Sequence, residues 1–358
     1  MEMRKIGRLQ LFTSMLLMML LACNKKSDAS LAGINLSISQ STLAFSEKDS
    51  VQTVQVQTNA SDFEVSIPSG SSWCSFKKNG TTVSISVSGM ASSISQRSAI
   101  VRIIAGSGVK QVEKTVTITQ NRIWKLLWED NFNADGPVNT ANWTLQSKGS
   151  SDWKMYMTPT DELAFVQEGK LILKARKTNN GYETSGVASL NKFNFKYGKV
   201  EVRAKLSAGQ GTWPAIWMMP AQSIYGGWPK SGEIDIMEHL NNESKIYQVI
   251  HSHYVDNLGM KTDPLYSFTP SFVVGSYNTY GIEWFPDKID FLVNGTITFT
   301  YPRKASVPAD QLQWPFDQPF YLILNQALGG SWVGKIDDSV LPVQSEIDYV
   351  KVYGLSYY

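Results

Sequence analysis

Residues 231–239, SGEIDIMEH, place three carboxylic acids within six positions of an otherwise apolar run. The acids are Glu233, Asp235 and Glu238. In a regular strand the first two share a face, whereas Glu238, five residues after Glu233, points the other way. A one-residue bulge near Ile236 and Met237 would restore the parity. We therefore predict a bulged strand with all three acids lining a cleft, while Ile234 and Ile236 face the core.

Such a cluster of acids suits glycosidic bond cleavage. A retaining glycosidase holds two carboxyl groups about 5 to 5.5 Å apart, one as nucleophile and the other as acid and then base. When one acid ionises, ionisation of its neighbour is disfavoured, so the second keeps its proton near neutral pH. Asp235, between them, could hold and orient the nucleophile. A solvated surface strand and a calcium site are the alternatives, and the interleaved apolar residues argue against the solvated strand.

Tryptophans are concentrated around these acids. Trp213, Trp217 and Trp228 precede them within about twenty residues, and ten of the eleven tryptophans lie from Trp124 onward. A single tryptophan is usually a core residue. Several beside an acid cluster favour a sugar-binding cleft, because flat apolar rings with polar edges suit the C–H faces of sugars.

The composition excludes several other classes of protein. The chain has 358 residues, 42% hydrophobic and 18% charged, so it can bury a large core and is not disordered as a whole. A formal net charge of +2 gives the protein no strong positive potential that would attract the phosphates of nucleic acid. After Cys23, one cysteine (Cys74) and three histidines (His239, His251, His253) remain, too few at the usual spacing for a Cys/His zinc site. We expect Cys74 to be a small buried residue.

The first 33 residues have the pattern of an export signal. A basic start is followed by an apolar stretch from Leu11 to Ala22 that is too short to span a bilayer. The sequence LLAC, ending at Cys23, resembles a bacterial lipobox. We predict a signal peptide (1–22), lipidation of Cys23, a tether (23–33), and a protein anchored in the outer membrane or at the cell surface of a Gram-negative bacterium. The alternative is an ordinary secretory signal.

Two β-rich regions follow. Residues 34–121 alternate in short Ser-, Thr- and Val-rich runs, which predicts a small immunoglobulin-like β-sandwich. Residues 122–358 contain longer strand patterns and hairpin turns but no long helical period, which predicts a larger β-sandwich or jelly roll. The expected fold class is therefore all-β with two domains.

Residues 124–354 resemble glycoside hydrolase family 16. The motifs that carry the resemblance are YGKVEVR (197–203), TWPAIWMMP (212–220), GEIDIMEH (232–239), PFYLILNQALGGSW (319–332) and IDYVKVYG (347–354). The resemblance implies a concanavalin A-like jelly roll with Glu233 as nucleophile, Glu238 as acid/base and Asp235 as assisting carboxylate. The extra residue Met237 matches the bulged motif of laminarinase-like, agarase-like and carrageenase-like members.

The same resemblance suggests further site residues. It places Trp213, Trp217, Trp228 and Trp332 at the substrate. It also places His251 and His253 on the neighbouring strand facing the acids, and of the two we choose His253 to contact substrate or acid/base. No cofactor is required, although some members bind structural calcium. The candidate calcium ligands here are Glu129, Asp130 and Asp348.

Residues 34–121 resemble a BACON domain, through STLAFS (41–46), SSWCSF (71–76) and VTITQN (116–121). Such a domain could bind carbohydrate or act as a spacer that holds the enzyme away from the membrane.

Our leading hypothesis is an exported, monomeric, retaining endo-glycosidase with a polysaccharide substrate and no nucleic-acid partner. We narrowly favour β-1,3- or β-1,3-1,4-glucan. Residues 150–165, SSDWKMYMTPTDELAF, depart from the β-glucanase pattern, so an endo-β-galactosidase acting on poly-N-acetyllactosamine of mucin O-glycans or on keratan is the alternative. A non-catalytic glycan-binding lipoprotein is a hypothesis of another class, which would keep the tryptophans but need not keep the acids.

Overall fold

The computed structural model describes residues 33–68, 71–91 and 93–355. The predicted signal peptide (1–22), the lipidation site Cys23 and the tether as far as residue 32 lie outside the described residues. Within those residues, no helix is long and apolar enough to cross a membrane.

The N-terminal part is a β-sandwich. In the described residues its strands are β1 (Leu36–Ile38), β2 (Thr42–Phe45), β3 (Ser50–Thr58), β4 (Phe63–Ser66), β5 (Cys74–Asn79), β6 (Thr82–Val87), β7 (Gln96–Ala105) and β8 (Val112–Asn121). They form sheets of order β1-β3-β6-β5 and β2-β8-β7-β4, in which β2 and β8 are parallel. Alternate residues such as Val83, Ile85 and Val87 point into a core of their own, which also contains Cys74. Burial of Cys74 is confirmed, whereas an immunoglobulin-like or BACON identity stays a prediction.

The C-terminal part is a larger sandwich, as predicted. Its strands in the described residues are β9 (Trp124–Asp130), β10 (Gly136–Pro137), β11 (Thr144–Leu145), β12 (Ala164–Gln167), β13 (Lys170–Thr178), β14 (Gly181–Glu183), β15 (Ser185–Ala188), β16 (Gly198–Lys205), β17 (Thr212–Pro220), β18 (Glu233–Glu238), β19 (Tyr247–His251), β20 (Ser267–Phe268), β21 (Asn278–Trp284), β22 (Lys288–Val293), β23 (Thr296–Pro302), β24 (Phe320–Leu328) and β25 (Val343–Leu355). One sheet has the order β10-β12-β13-β25-β16-β21-β22-β23, with β9 paired to β25 and β14 to β13. The other, which carries the acids, has the order β11-β15-β24-β17-β18-β19-β20.

The core lies between these two sheets. Val200 and Ile282 from the first sheet and Ile216, Ile234 and Leu324 from the second belong to one fully or almost fully buried apolar cluster. The alternate residues of the acid-bearing sheet lie on its other side, which we call the open face. Period-2 alternation therefore determines which side chains can reach a substrate.

Helical structure in the described residues is limited to single turns. These are the 3₁₀ turns Gly108–Lys110, Asp152–Lys154, Ala309–Gln311 and Asp338–Val340, and a π-helical turn, His253–Asn257.

Candidate active site

The predicted bulge in the acid-bearing strand is confirmed. Against β17, Asp235 pairs with Trp217 and Met237 with Ile216, so Ile236 is the additional residue. The register against β19 shifts between Asp235 and Glu238 as well. Ile236 is fully buried in the core, as expected. The bulge thereby brings Glu238 back to the open face with the other two acids.

The chain enters this strand through a glycine that no other residue could replace without strain. Gly232 has a φ of +86°, and a Cβ there would lie 2.8 Å from the Phe316 ring. Glycine alone adopts this conformation at no steric cost. Gly232 therefore fixes the position of Glu233, the first residue of β18. Glu233, Asp235 and Glu238 together are called the acid row below.

An indole N–H is hydrogen-bonded to each of the outer acids. Trp228 Nε1 donates to Glu233 Oε2 over 2.8 Å, and Trp213 Nε1 donates to Glu238 Oε1 over 3.0 Å. Between them Asp235 is only 3% exposed. The tryptophans thus hold the orientation of the two carboxyl groups at which we expect the chemistry.

The surroundings of Glu233 and Glu238 raise the pKa values of both carboxyl groups. Burial, and then the negative charge of Asp235, raise the pKa of Glu233 and raise that of Glu238 well above its usual range. The indole N–H groups act in the opposite direction, and the charge of His251 further favours ionised Glu233. Because the pair repel each other when both are ionised, one proton is retained. Glu238, more deeply enclosed, is the acid that keeps it.

His251 lies beside the acids on β19, where it pairs with Glu233. Its Nε2 is 3.2 Å from Asp235 Oδ2 and 4.0 Å from Glu233 Oε1, and its Nδ1 is 3.0 Å from Asp256 Oδ1. Burial opposes its charge, but the hydrogen bonds to Asp235 and Asp256 and the surrounding negative charge outweigh it, raising the pKa to about 11. His251 is therefore an imidazolium at neutral pH. Although Glu233, Asp235 and His251 are close enough to hold a metal ion, a protonated ring offers no lone pair for one.

Of the two histidines, the structure places His251 and not His253 beside Glu233 and Asp235. Strand β19 ends at His251, and a π-helical turn begins at His253. The alternation that would place both rings on one face therefore stops between them. His253 Nδ1 instead lies 2.8 Å from Asn257 Oδ1. Contact between His253 and a bound substrate stays a prediction.

The four predicted substrate-contacting tryptophans occupy different environments. Trp228 and Trp332 are 58% and 45% exposed, and Trp332 makes edge contacts with Trp213 (5.6 Å between ring centroids) and Tyr247 (5.0 Å). Trp217 is on the open face but only 7% exposed. The structure thus places Trp213 and Trp228 at the acids and Trp332 beside Trp213.

Trp217 is covered by a residue that the sequence reasoning did not single out. The Trp153 ring lies perpendicular to that of Trp217, with centroids 4.8 Å apart, and Trp217 Nε1 donates to Asn325 Oδ1 over 2.7 Å. Trp153 belongs to the 150–165 stretch, whose departure from the β-glucanase pattern was the one signal available in the sequence.

The preceding residue, Asp152, anchors this stretch to the opposite loop. Its Oδ2 accepts hydrogen bonds from Ser331 N (2.6 Å) and Ser331 Oγ (2.7 Å). The anchor ties the Trp153 loop to the segment that carries Trp332. Two loops that are remote in sequence therefore form one wall of the open face.

Two of the three candidate calcium ligands, Asp130 and Asp348, are already engaged by other groups, and a calcium site that includes Glu129 stays a prediction. Asp130 accepts N–H donors from Phe132, Asn142 and Trp143. Asp348 is paired with the guanidinium of Arg203. Oxygens that already receive N–H donors or a positive charge are not arranged to coordinate calcium.

Comparison with known proteins agrees with this geometry. Residues 150–351 match the model of glycosyl hydrolases family 16. The chain is 41% identical over 257 residues to a keratan-sulfate endo-1,4-β-galactosidase of Sphingobacterium multivorum, covering 70% of this chain and 60% of that protein. It is 35% identical over 244 residues to a β-glucanase of Rhodothermus marinus, covering 64% and 85% of the two chains.

Solved structures resemble the same region. A laminarinase of Rhodothermus marinus matches with a TM-score of 0.59 and 33% identity, covering 65% of this chain and 98% of that one. A structure described with endo-acting O-glycanases that human gut microbiota express to initiate mucin breakdown matches with a TM-score of 0.58 and 32% identity, covering 65% and 100%. Given the bulged row of acids on the open face of a two-sheet sandwich and these matches, the chain belongs to glycosyl hydrolases family 16.

Proposed function

We propose that this protein is a retaining endo-β-glycanase. The observation that carries the proposal is the pair Glu233 and Glu238 on one open face, each held by its own indole N–H, with Glu238 in the environment that better retains a proton. A nucleophile must be ionised and a general acid protonated at the same pH. Burial and the charge of Asp235 raise the pKa of Glu233 to about 8 and raise that of Glu238 well above its usual range, so Glu233 ionises first as the pH rises while Glu238 keeps its proton.

The reaction then proceeds in two displacements. Glu233 attacks the anomeric carbon while the bond from that carbon to the leaving sugar's oxygen breaks and Glu238 gives its proton to that oxygen. Water next attacks the same carbon, its proton passes to Glu238, and the carboxylate of Glu233 is released. The imidazolium of His251 lies between Glu233 and Asp235, and its positive charge favours the ionised form of Glu233 against the opposing charge of Asp235.

Cleavage within a chain requires sugar on both sides of the broken bond. The exposed ring of Trp228 lies at the Glu233 end of the acid row, and Trp213 with Trp332 lies at the Glu238 end. Stacking surfaces on both sides of the acids support endo action.

For the substrate, we propose first a galactose-containing chain such as poly-N-acetyllactosamine of mucin O-glycans or keratan, cleaved as by an endo-β-galactosidase. Identity is higher to the keratan-sulfate endogalactosidase than to the β-glucanase, and the Asp152–Trp153 wall lies in the stretch that departs from the β-glucanase pattern. The second candidate is β-1,3- or β-1,3-1,4-glucan, the class favoured from the sequence, with support from the laminarinase structures.

The test is incubation of the purified protein with laminarin, mixed-linkage glucan, agarose, keratan and mucin glycans, followed by sizing of the products. Release of oligosaccharides from keratan or mucin glycans supports the first candidate, and release from the glucans supports the second. Monosaccharide as the sole product contradicts endo action. Glu233→Gln is the inactive control: turnover as fast as that of the parent would contradict the role of Glu233, whereas a parent that binds glycans but releases no product would support the non-catalytic glycan-binding alternative.

We also propose that the protein is an exported lipoprotein, anchored through Cys23 and acting as a monomer, with the N-terminal sandwich as a BACON-like spacer. The support is the basic and apolar start and the lipobox-like LLAC. Labelling of cells with a radioactive fatty acid should mark the parent chain and leave Cys23→Ser unlabelled. Equal labelling of both would contradict the anchor.

A further inference from the structure

A cavity of about 380 Å³ lies at the edge of the open face, outside the acid row. We propose that it is an additional glycan-binding site that holds an uncharged sugar residue of the polysaccharide cleaved at the acids. This inference rests on the proposed function. It adds the location of a further sugar-binding position and a preference for an uncharged sugar there. The volume falls within the roughly 300–1,000 Å³ of small-molecule sites.

Three chain segments meet at this cavity. They are the loop after β15, with Asn191 and Asn194, the loop after β17, with Gln222, and the segment that leads into β24, with Asp317 and Gln318, followed by Tyr321 at the start of β24. Strands β15 and β17 both run antiparallel to β24, so their ends meet its beginning. Side chains from distant parts of the sequence therefore converge at one edge of the sheet.

This edge is also the one at which Glu233 lies. Tyr321 on β24 pairs with Met219 on β17, and β17 is the neighbour of β18. Glu233 is close enough for its charge to raise the pKa of Tyr321, after the larger effect of burial. Two strand spacings of about 4.8 Å separate β24 from β18. A glycan lying across the strands at Glu233 would thus reach β24, whose Tyr321 lines the cavity, within about 10 Å.

The residues that line the cavity have free hydrogen-bond donors and free hydrogen-bond acceptors. The amides of Asn191, Asn194 and Gln222 are exposed at the cavity and make no side-chain hydrogen bond within the described part of the chain. Each amide both donates and accepts, as sugar hydroxyls do.

Gln318 adds a group that lacks a partner in a buried position. It is only 3% exposed, and its Nε2 donates to Ser231 O (3.0 Å) and Pro315 O (3.2 Å). Its Oε1 has no hydrogen-bond partner among the described residues. Leaving a buried acceptor unpaired is costly, so the wall of the cavity carries an unsatisfied polar group at Gln318.

The charge of the lining specifies the ligand further. Asp317 is the one charged residue among those that line the cavity, and it accepts a hydrogen bond of 2.6 Å from the Tyr225 hydroxyl. A carboxylate accepts hydrogen bonds from hydroxyls but repels sulfate and carboxylate groups. The cavity therefore suits a neutral sugar and disfavours a sulfated or acidic one.

The test measures binding rather than turnover, in the full chain carrying Glu233→Gln as parent. The probes are laminarin oligosaccharides and keratan oligosaccharides in sulfated and desulfated form, titrated calorimetrically. The pocket variant adds Asn191→Ala, Asn194→Ala and Gln222→Ala. The matched control adds Asn180→Ala, another exposed amide, in the turn between β13 and β14. A third variant adds Asp317→Asn, which keeps the shape and removes the charge.

We expect the pocket variant to bind the neutral oligosaccharide about tenfold more weakly than the parent, with the control unchanged, because several polar contacts are lost. We also expect the parent to prefer desulfated over sulfated keratan chains and Asp317→Asn to reduce that preference. If the parent binds a glycan and the pocket variant binds it equally well, the cavity is not a glycan site and the proposed function stands. If the parent binds no glycan, both inferences are overturned.

Discussion

Trp213 and Glu238 are joined by a hydrogen bond in which the indole N–H donates to Oε1 over 3.0 Å. Trp228 makes the equivalent bond to Glu233. Aromatic residues that the sequence suggests as sugar platforms therefore also hold the carboxyl groups and lower their pKa values against the effect of burial. Each bond can be removed separately, and each removal has a distinct consequence.

Replacing Trp213 with Phe should move the alkaline limb of the kcat/KM profile to higher pH, by up to about one pH unit. The lost N–H favoured ionised Glu238, so without it the pKa of Glu238 rises further and the general acid stays protonated at higher pH. The measurement is the pH dependence of kcat/KM, which reports groups of the free enzyme. An alkaline limb that stays in place or moves to lower pH would contradict this role of Trp213.

Replacing Trp228 with Phe should instead move the acid limb to higher pH. The N–H of Trp228 favours the ionised nucleophile, and its loss raises the pKa of Glu233, so a higher pH is needed for activity. Trp332→Phe is the matched control, because Trp332 is exposed like Trp228 but makes no hydrogen bond to an acid in the described structure. An acid limb that moves as far in Trp332→Phe as in Trp228→Phe would contradict this role of the Trp228 N–H.

Replacing His251 with Gln should remove the part of the pH dependence of the free energy of unfolding that the titration of His251 causes. The pKa of His251 is raised in the folded state, so its stabilising contribution is complete below about pH 6.5 and declines as the pH rises toward 11. In this window the unfolded chain has lost a proton that the folded chain keeps. The free energy of unfolding of the parent should therefore fall by about 1.4 kcal/mol per pH unit relative to His251→Gln. Denaturant unfolding between pH 7.5 and 9.5 measures the slope, and parallel curves for the two proteins would refute it.

Asp152→Ala should raise the KM for polysaccharide several-fold with a smaller effect on kcat. The substitution removes the acceptor for Ser331 N and Oγ and so frees the loop that holds Trp153 over Trp217. Asp161→Ala, at an exposed acid of the same 150–165 stretch, is the control. Initial rates across polymer concentrations give both constants. Equal KM values for parent and Asp152→Ala would show that the anchored loop does not form part of the binding surface.

The arrangement of the acid row could largely be predicted from the sequence, because it depends only on residues that are close together along the chain. Alternation and the count of residues between Glu233 and Glu238 require a bulge if the acids are to share a face, and the structure contains it. The two-sheet architecture follows from the same short-range patterns.

What the sequence did not reveal depends on where strands end and which loops meet. Both histidines were expected on one strand facing the acids, but β19 ends at His251 and a π-helical turn begins at His253. The Asp152–Ser331 anchor joins residues 179 positions apart. The cavity at Gln318 likewise draws on three separated segments. None of these long-range contacts leaves a periodic signal.

The central claim is the division of roles between Glu233 and Glu238, and azide rescue tests it most directly. Azide is added to Glu233→Ala and to Glu238→Ala with an activated β-glycoside of the cleaved oligosaccharide, and the anomeric configuration of the glycosyl azide is read by NMR. We predict the α-azide from Glu233→Ala, because azide takes the place of the nucleophile and the configuration inverts once. We predict the β-azide from Glu238→Ala, because azide attacks the glycosyl-enzyme intermediate and the configuration inverts a second time. The opposite pairing, or rescue of neither variant while the parent is active, would contradict the assignment.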